Sequence, residues 1–174
     1  MAVITKDDRR RQKKLQQDLG LLQHLSLTVG VHSDAPSHTD QEGTTLNMAE
    51  LAAVHEFGTS RIPERSFLRA GFDAHRDDTE KRVNEGLGKL LDGEYEPSEV
   101  LEYVGELLLG DIRETIAEGL KPELAPMTKA SRDKKAAHGG GLEGLATSYT
   151  PLVDTGQLIG SLAYKVDTDD PGSR

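Results

Sequence analysis

Between Phe67 and Gly119 the apolar residues keep a helical period almost without interruption. Phe67, Leu68, Phe72, Thr79, Val83, Leu87, Leu90 and Leu91 track one side of a first helix that ends near Gly93. Val100, Leu101, Val104, Leu107, Leu108, Ile112 and Ile116 track one side of a second, which opens at Pro97 in a first-turn position and stops before Gly119. Only a few residues join them, so the spacing predicts two long antiparallel helices, the first being the longest element of the fold.

The flanks add shorter pieces. Leu15, Leu19 and Leu22 predict a helix from Asp7 or Asp8 to about Leu22. In LSLTVGVH, Leu25, Leu27, Val29 and Val31 alternate with Ser26, Thr28, Gly30 and His32, the period of a half-buried strand. Residues 33–46 are polar and rich in turn formers and read as a long loop, a contact segment or a disordered arm. Asn47 with Glu50 makes a capping box for a short helix that puts Leu51, Val54 and Phe57 on one face and stops at Gly58. After Pro122 and Pro126 a short helix is expected around Thr128–Lys135, then a glycine-rich loop over 136–150. Leu162, Tyr164 and Val166 alternate as a second strand. The two best strands stand near opposite ends of the chain and are expected to pair. The fold class is therefore α+β, a small, mostly antiparallel sheet packed against several helices, two of them long and antiparallel. Residues 1–24 read as a basic N-terminal helix, a peripheral arm; 25–168 as the main domain; and 169–174 as a disordered tail.

Chemistry is sparse. The chain has no cysteine, which excludes disulfides, thiolate metal sites and thiol catalysis. It shows no secretory h-region and no apolar run of membrane-spanning length, so a soluble protein with no membrane partner is expected. The six histidines, at 24, 32, 38, 55, 75 and 138, have no ligand spacing on a common helix face, and His55-Glu56-Phe57 lacks the second histidine of a zinc-peptidase motif, since Thr59 stands there. GGGLEG lacks the strand and lysine of a phosphate-binding loop. No catalytic, cofactor-binding or metal residue is assigned, and no cofactor is expected.

Two features compete with that reading. Asp154-Thr155-Gly156 could be half of a dimeric aspartic peptidase, which needs two facing carboxylates. That architecture is almost all β, however, and Asp154 also suits the start of a helix, its carboxylate accepting the amide hydrogens of Gly156 and Gln157. The block Arg9, Arg10, Arg11, Lys13 and Lys14 could contact DNA phosphates, against a net charge of −9 that disfavours coating nucleic acid. With 35% hydrophobic and 4% aromatic residues the core is thin for the length, which favours burial against further copies.

Two segments together resemble bacteriophage neck and tail-completion proteins, which serve virion morphogenesis and head–tail joining. LAAVHEFGTSRIPERSFLRAGFD, residues 51–73, is similar to a signature in which an apolar helix ends in a Glu-Phe-Gly-Thr turn and an Ile-Pro-x-Arg-Pro-Phe-Leu-Arg segment launches the next helix. PLVDTGQLIGSLAYKV, residues 151–166, is similar to a second, Pro-Leu-x-Asp-Thr-Gly-x-Leu-x-x-Ser-Ile followed by a strand. The chain departs at Ser66, where a second proline is usual, and at Leu162, where isoleucine is common. The resemblance implies a structural protein of the virion neck or tail, assembled in the host cytoplasm as a homo-oligomeric ring of six or twelve copies. It implies adjacent neck, connector or tail-tube proteins as partners, with translocating DNA met only transiently. The subunit-contact and structural residues it implies are Glu56, Phe57, Gly58, Arg61, Pro63, Arg65, Phe67, Arg69, Asp154, Gly156 and Leu158. Among these, Gly58 is expected to give a left-handed exit from its helix, and Arg61, Arg65 and Arg69 to offer planar donors to a neighbour's carboxylates. Phe57, Phe67 and Phe72 are expected to pin the connector to the core.

Overall fold

A computed structural model describes residues 6–39, 45–137, 149–153 and 156–168. Among them the elements run α1 (Lys6–Leu22), β1 (Leu25–Val31), β2 (Ser37–Thr39), β3 (Thr45–Asn47), α2 (Met48–Phe57), α3 (Phe67–Ala74), α4 (Arg76–Asp92), α5 (Pro97–Glu118), α6 (Pro126–Ala137), α7 (Gln157–Gly160) and β4 (Leu162–Thr168). The fold is α+β, and β1 pairs with β4, so the strands from opposite ends of the chain do form one small sheet.

Residues 33–46 are not all loop. β2 and β3 form an antiparallel hairpin in the register Ser37↔Asn47, His38↔Leu46, Thr39↔Thr45. Two three-residue strands with Leu46 as their one apolar residue carry no apolar alternation, so nothing in their pattern announces the ladder that pairs their backbone groups.

The long helix expected from Phe67 to Gly93 is two helices, and α5, with 22 residues, is the longest element. The break falls at His75, whose φ of −112° and ψ of 19° leave the α region while its N–H still reaches the Gly71 carbonyl. α3 belongs to one compact unit and α4, from Asp77, to the other.

One unit comprises the residues up to Thr28, Asp77–Leu107 and those from Tyr164 on. Here α4 and the first half of α5 run antiparallel, with Gly86 against Val100 and Glu85 accepting a hydrogen bond from the Tyr103 hydroxyl at 3.0 Å. α4 ends in a Schellman motif: Glu94 N–H donates to the Lys89 carbonyl and Gly93 N–H to that of Leu90, with Gly93 at φ 78°. α5 begins with half of a capping box, the Glu99 carboxylate accepting from Glu96 N–H at 2.7 Å. Leu90, Val100 and Val104 are its buried apolar core. At Gly105 the sheet presses on α5 so closely that a Cβ would lie 2.8 Å from Leu27 Cδ1 and 2.9 Å from the Tyr164 ring. In α1, Arg11 donates to the Leu91 carbonyl and Lys14 pairs with Glu96 at 2.9 Å and Asp18 at 3.5 Å, so two cations of the basic block are engaged within the chain.

The other unit comprises Val29–Arg76 and Leu108–Ala163. Its core is Met48, Ala52, Phe67, Leu108, Leu109, Ile112, Ile116, Val153, Leu158 and Leu162, with Phe67 and Ile116 fully enclosed. The face that α2 buries is Met48, Ala52 and Glu56. That corrects the expected Leu51–Val54–Phe57 face: Phe57 is 71% exposed. Phe72 is exposed as well, so of the three phenylalanines only Phe67 anchors the core. No described helix is long and apolar enough to cross a membrane.

Candidate functional site

The segment from His55 to Arg69, which joins α2 to α3, is held by a set of hydrogen bonds within itself and to its flanking helices. It begins with α2, whose first turn is capped by Asn47, the side-chain oxygen accepting from Ala49 N–H at 2.8 Å. The last turn of that helix carries Glu56, a carboxylate only 6% exposed. A buried carboxylate needs donors, and these come from the start of α3. Glu56 accepts from the Ser66 hydroxyl at 2.6 Å, from Leu68 N–H at 2.9 Å and from Arg69 N–H at 3.3 Å. Ser66 holds the N-cap position of α3 but makes no cap bond with its own side chain. Glu56 caps α3 across the connector instead, and its negative charge lies at the positive end of the helix dipole. Where the resembling signature has proline, Ser66 supplies a hydroxyl that proline lacks.

The chain between these ends closes on itself. Thr59 N–H donates to the Ile62 carbonyl at 2.7 Å, and Thr59 Oγ1 accepts from Arg61 N–H and Ile62 N–H. Arg65 N–H donates to the His55 carbonyl at 2.7 Å, satisfying one of the orphan acceptors at the end of α2. Gly58 sits at the crossing, with φ 70° and ψ 175°. That is not the left-handed helical exit expected of it but a region of the map essentially reserved for glycine.

The three arginines take different tasks. Arg65 is 7% exposed and donates from Nε to the Pro122 carbonyl at 2.8 Å and from Nη2 to the Glu123 carbonyl at 3.1 Å. Its fork therefore ties the connector to the segment between α5 and α6 and is not offered outward. Arg69 pairs with Glu64 at 3.3 Å and approaches Glu56 at 3.8 Å. Arg61 stays exposed, as does Pro63. Phe57, Thr59, Ser60 and Glu64 face solvent with them.

His55 lies beneath this turn, its Nδ1 buried without a hydrogen-bond partner among the described residues. Burial, with a smaller contribution from the Arg65 charge, lowers its pKa from the ordinary value of 6.5. A histidine whose folded pKa is depressed is stabilising when neutral, above the unfolded pKa, and that contribution is lost as pH falls below about 6.5. Stability is expected to drop between pH 7 and pH 5, and to drop less in His55→Gln, as read from urea midpoints at both pH values.

Of the second signature, Leu158 is buried and Gly156, in the left-handed region at φ 74° and ψ −1°, holds the N-cap position of the single-turn α7. The N-cap expected at Asp154 thus falls two residues later; Asp154 itself lies outside the described residues.

The structure also gathers a group that histidine spacing along a helix could not reveal. His75, at the break between α3 and α4, meets Asp111 and Glu114 of α5, with one ligand atom of each within 4.8 Å of the others. Compared with protein-family models, curated proteins and solved structures, the chain matches none.

Proposed function

We propose that this chain is a non-enzymatic structural protein of a bacteriophage neck, completing the tail or joining it to the head as an oligomeric ring. The observation that carries the reading is the occurrence, in order, of the two segments 51–73 and 151–166. Its partners are further copies of itself and the adjacent neck, connector or tail-tube proteins, within the virion. The connector chemistry supports a contact role. An adaptor gains most from a loop that keeps its shape before a partner arrives, because ordering on contact costs affinity. The connector meets that need with Glu56 and Arg65 turned inward, while the exposed Phe57 and Arg61, an aromatic and a guanidinium, are residue types enriched at interfaces. The net charge of −9 suits a ring through which DNA passes without adhering.

The test is mass spectrometry of purified virions together with a pull-down of neck and tail proteins by wild type and by Phe57→Ser/Arg61→Glu. The chain is expected in the particle, and the double variant, folded as wild type by circular dichroism, is expected to bind its partners about tenfold or more weakly. Absence from particles together with no neck or tail partner would overturn the assignment.

A further inference from the structure

We propose that His75, Asp111 and Glu114 bind a divalent transition-metal ion that clasps α3 to α5. Asp111 and Glu114 are three residues apart on α5 and so share a helix face. His75 reaches them from the end of α3, its Nδ1 3.9 Å from Asp111 Oδ1.

The elements that carry these ligands are rigidly apposed. A Cβ on Gly71 of α3 would lie 3.0 Å from Ile112 Cγ1 and 3.1 Å from its Cα, so α3 and α5 touch backbone to side chain one turn away from His75. Asp111 is 6% exposed and set in that packing, whereas Glu114 is exposed and free to rotate inward. Metal–ligand bonds of about 2.0–2.2 Å bring ligand atoms to roughly 3–3.5 Å from one another. The 3.9 Å pair needs a shift of about half an ångström, and the Glu114 side chain supplies the remainder.

The donor set selects the ion. One imidazole nitrogen with two carboxylate oxygens, in a chain without thiolates, suits zinc or manganese rather than a soft cation, and three protein ligands leave further positions to water. The charge favours occupancy: two carboxylates held side by side repel each other, and a divalent cation turns that repulsion into attraction. The break at His75, which the helical period did not announce, thereby acquires a use, since a continuous helix would carry position 75 through the turn with no change of direction.

The experiment uses the full chain, stripped with EDTA and dialysed, titrated calorimetrically with Zn2+ and separately with Mn2+, and followed by thermal melting. Saturable binding of one ion per chain with a raised melting temperature is expected from at least one of the two ions, and Co2+ loaded in place of it is expected to give visible absorption bands of a nitrogen–oxygen site. Glu114→Gln and His75→Ala, at positions that are not fully buried, are each expected to weaken binding by more than the roughly 10- to 100-fold that loss of an outer-shell partner costs. Those two variants carry the test, because Asp111→Asn alters a buried group and the fold with it. Absence of saturable binding overturns the proposal, and so does unchanged affinity in both variants, which would place the ion on other surface histidines.

Discussion

Gly58→Ala is expected to destabilise the protein by about 2–5 kcal/mol, the sum of a forbidden backbone and a steric conflict. The backbone part follows from φ 70° and ψ 175°, where a side chain meets its own carbonyls. The steric part follows from the closed connector: a Cβ would stand 2.7 Å from Glu64 N, 3.0 Å from Glu64 Cα and 3.1 Å from the Ile62 carbonyl oxygen. Those are backbone atoms, held by Arg65 N–H on the His55 carbonyl, so they cannot swing aside as a side-chain tip would. Gly93→Ala is the control. Its φ of 78° is also positive, but no atom lies within 4 Å of the new Cβ, and it should cost only about 1–2 kcal/mol for the backbone. Urea unfolding of the two variants reads the difference, and equal losses would show that the connector is not closed at Gly58.

Glu56→Ala is expected to cost about 2–4 kcal/mol, because it strips three donors of one acceptor in a place water does not reach freely. The Ser66 hydroxyl and the Leu68 and Arg69 amides all point at this carboxylate. Ser66→Ala removes one donor and leaves Glu56 both amides, so it is expected to cost about 0.5–1.5 kcal/mol, the net worth of one hydrogen bond. If Glu56→Ala proves no worse than Ser66→Ala in denaturant midpoint, the cap is not made by Glu56. Neither substitution touches Phe57 or Arg61, so loss of stability and loss of partner binding remain separable.

The helical repeat of α5 and the alternation of the two terminal strands reached the fold intact, whereas the repeat from Phe67 to Leu91 did so only as two helices broken at His75. α5 was legible to within a residue from Pro97 to Gly119, and α2 from Asn47 and Gly58, because caps and stops are local events set by the chemistry of single residues. The pairing of β1 with β4 was legible because each strand had one apolar face and few other partners. The errors have a common cause. Phe57 looked like a core residue on periodicity, yet the helix turned Met48, Ala52 and Glu56 inward. A carboxylate is the last residue that hydrophobic patterning would place inside, and it is inside because three donors from the next helix converge on it.

The sequence by itself determined α1, α2, α5, β1 and β4 with their approximate ends, and the glycines at which the chain must turn, since these depend on neighbours within a few residues. Tertiary structure alone decided which arginine is spent inside and which faces out, that the stripe from Phe67 to Leu91 breaks at His75, and that His75 meets Asp111 and Glu114. Each of those outcomes is fixed by groups brought close in space from distant parts of the chain, and burial makes an unmatched donor or acceptor too costly to leave to chance.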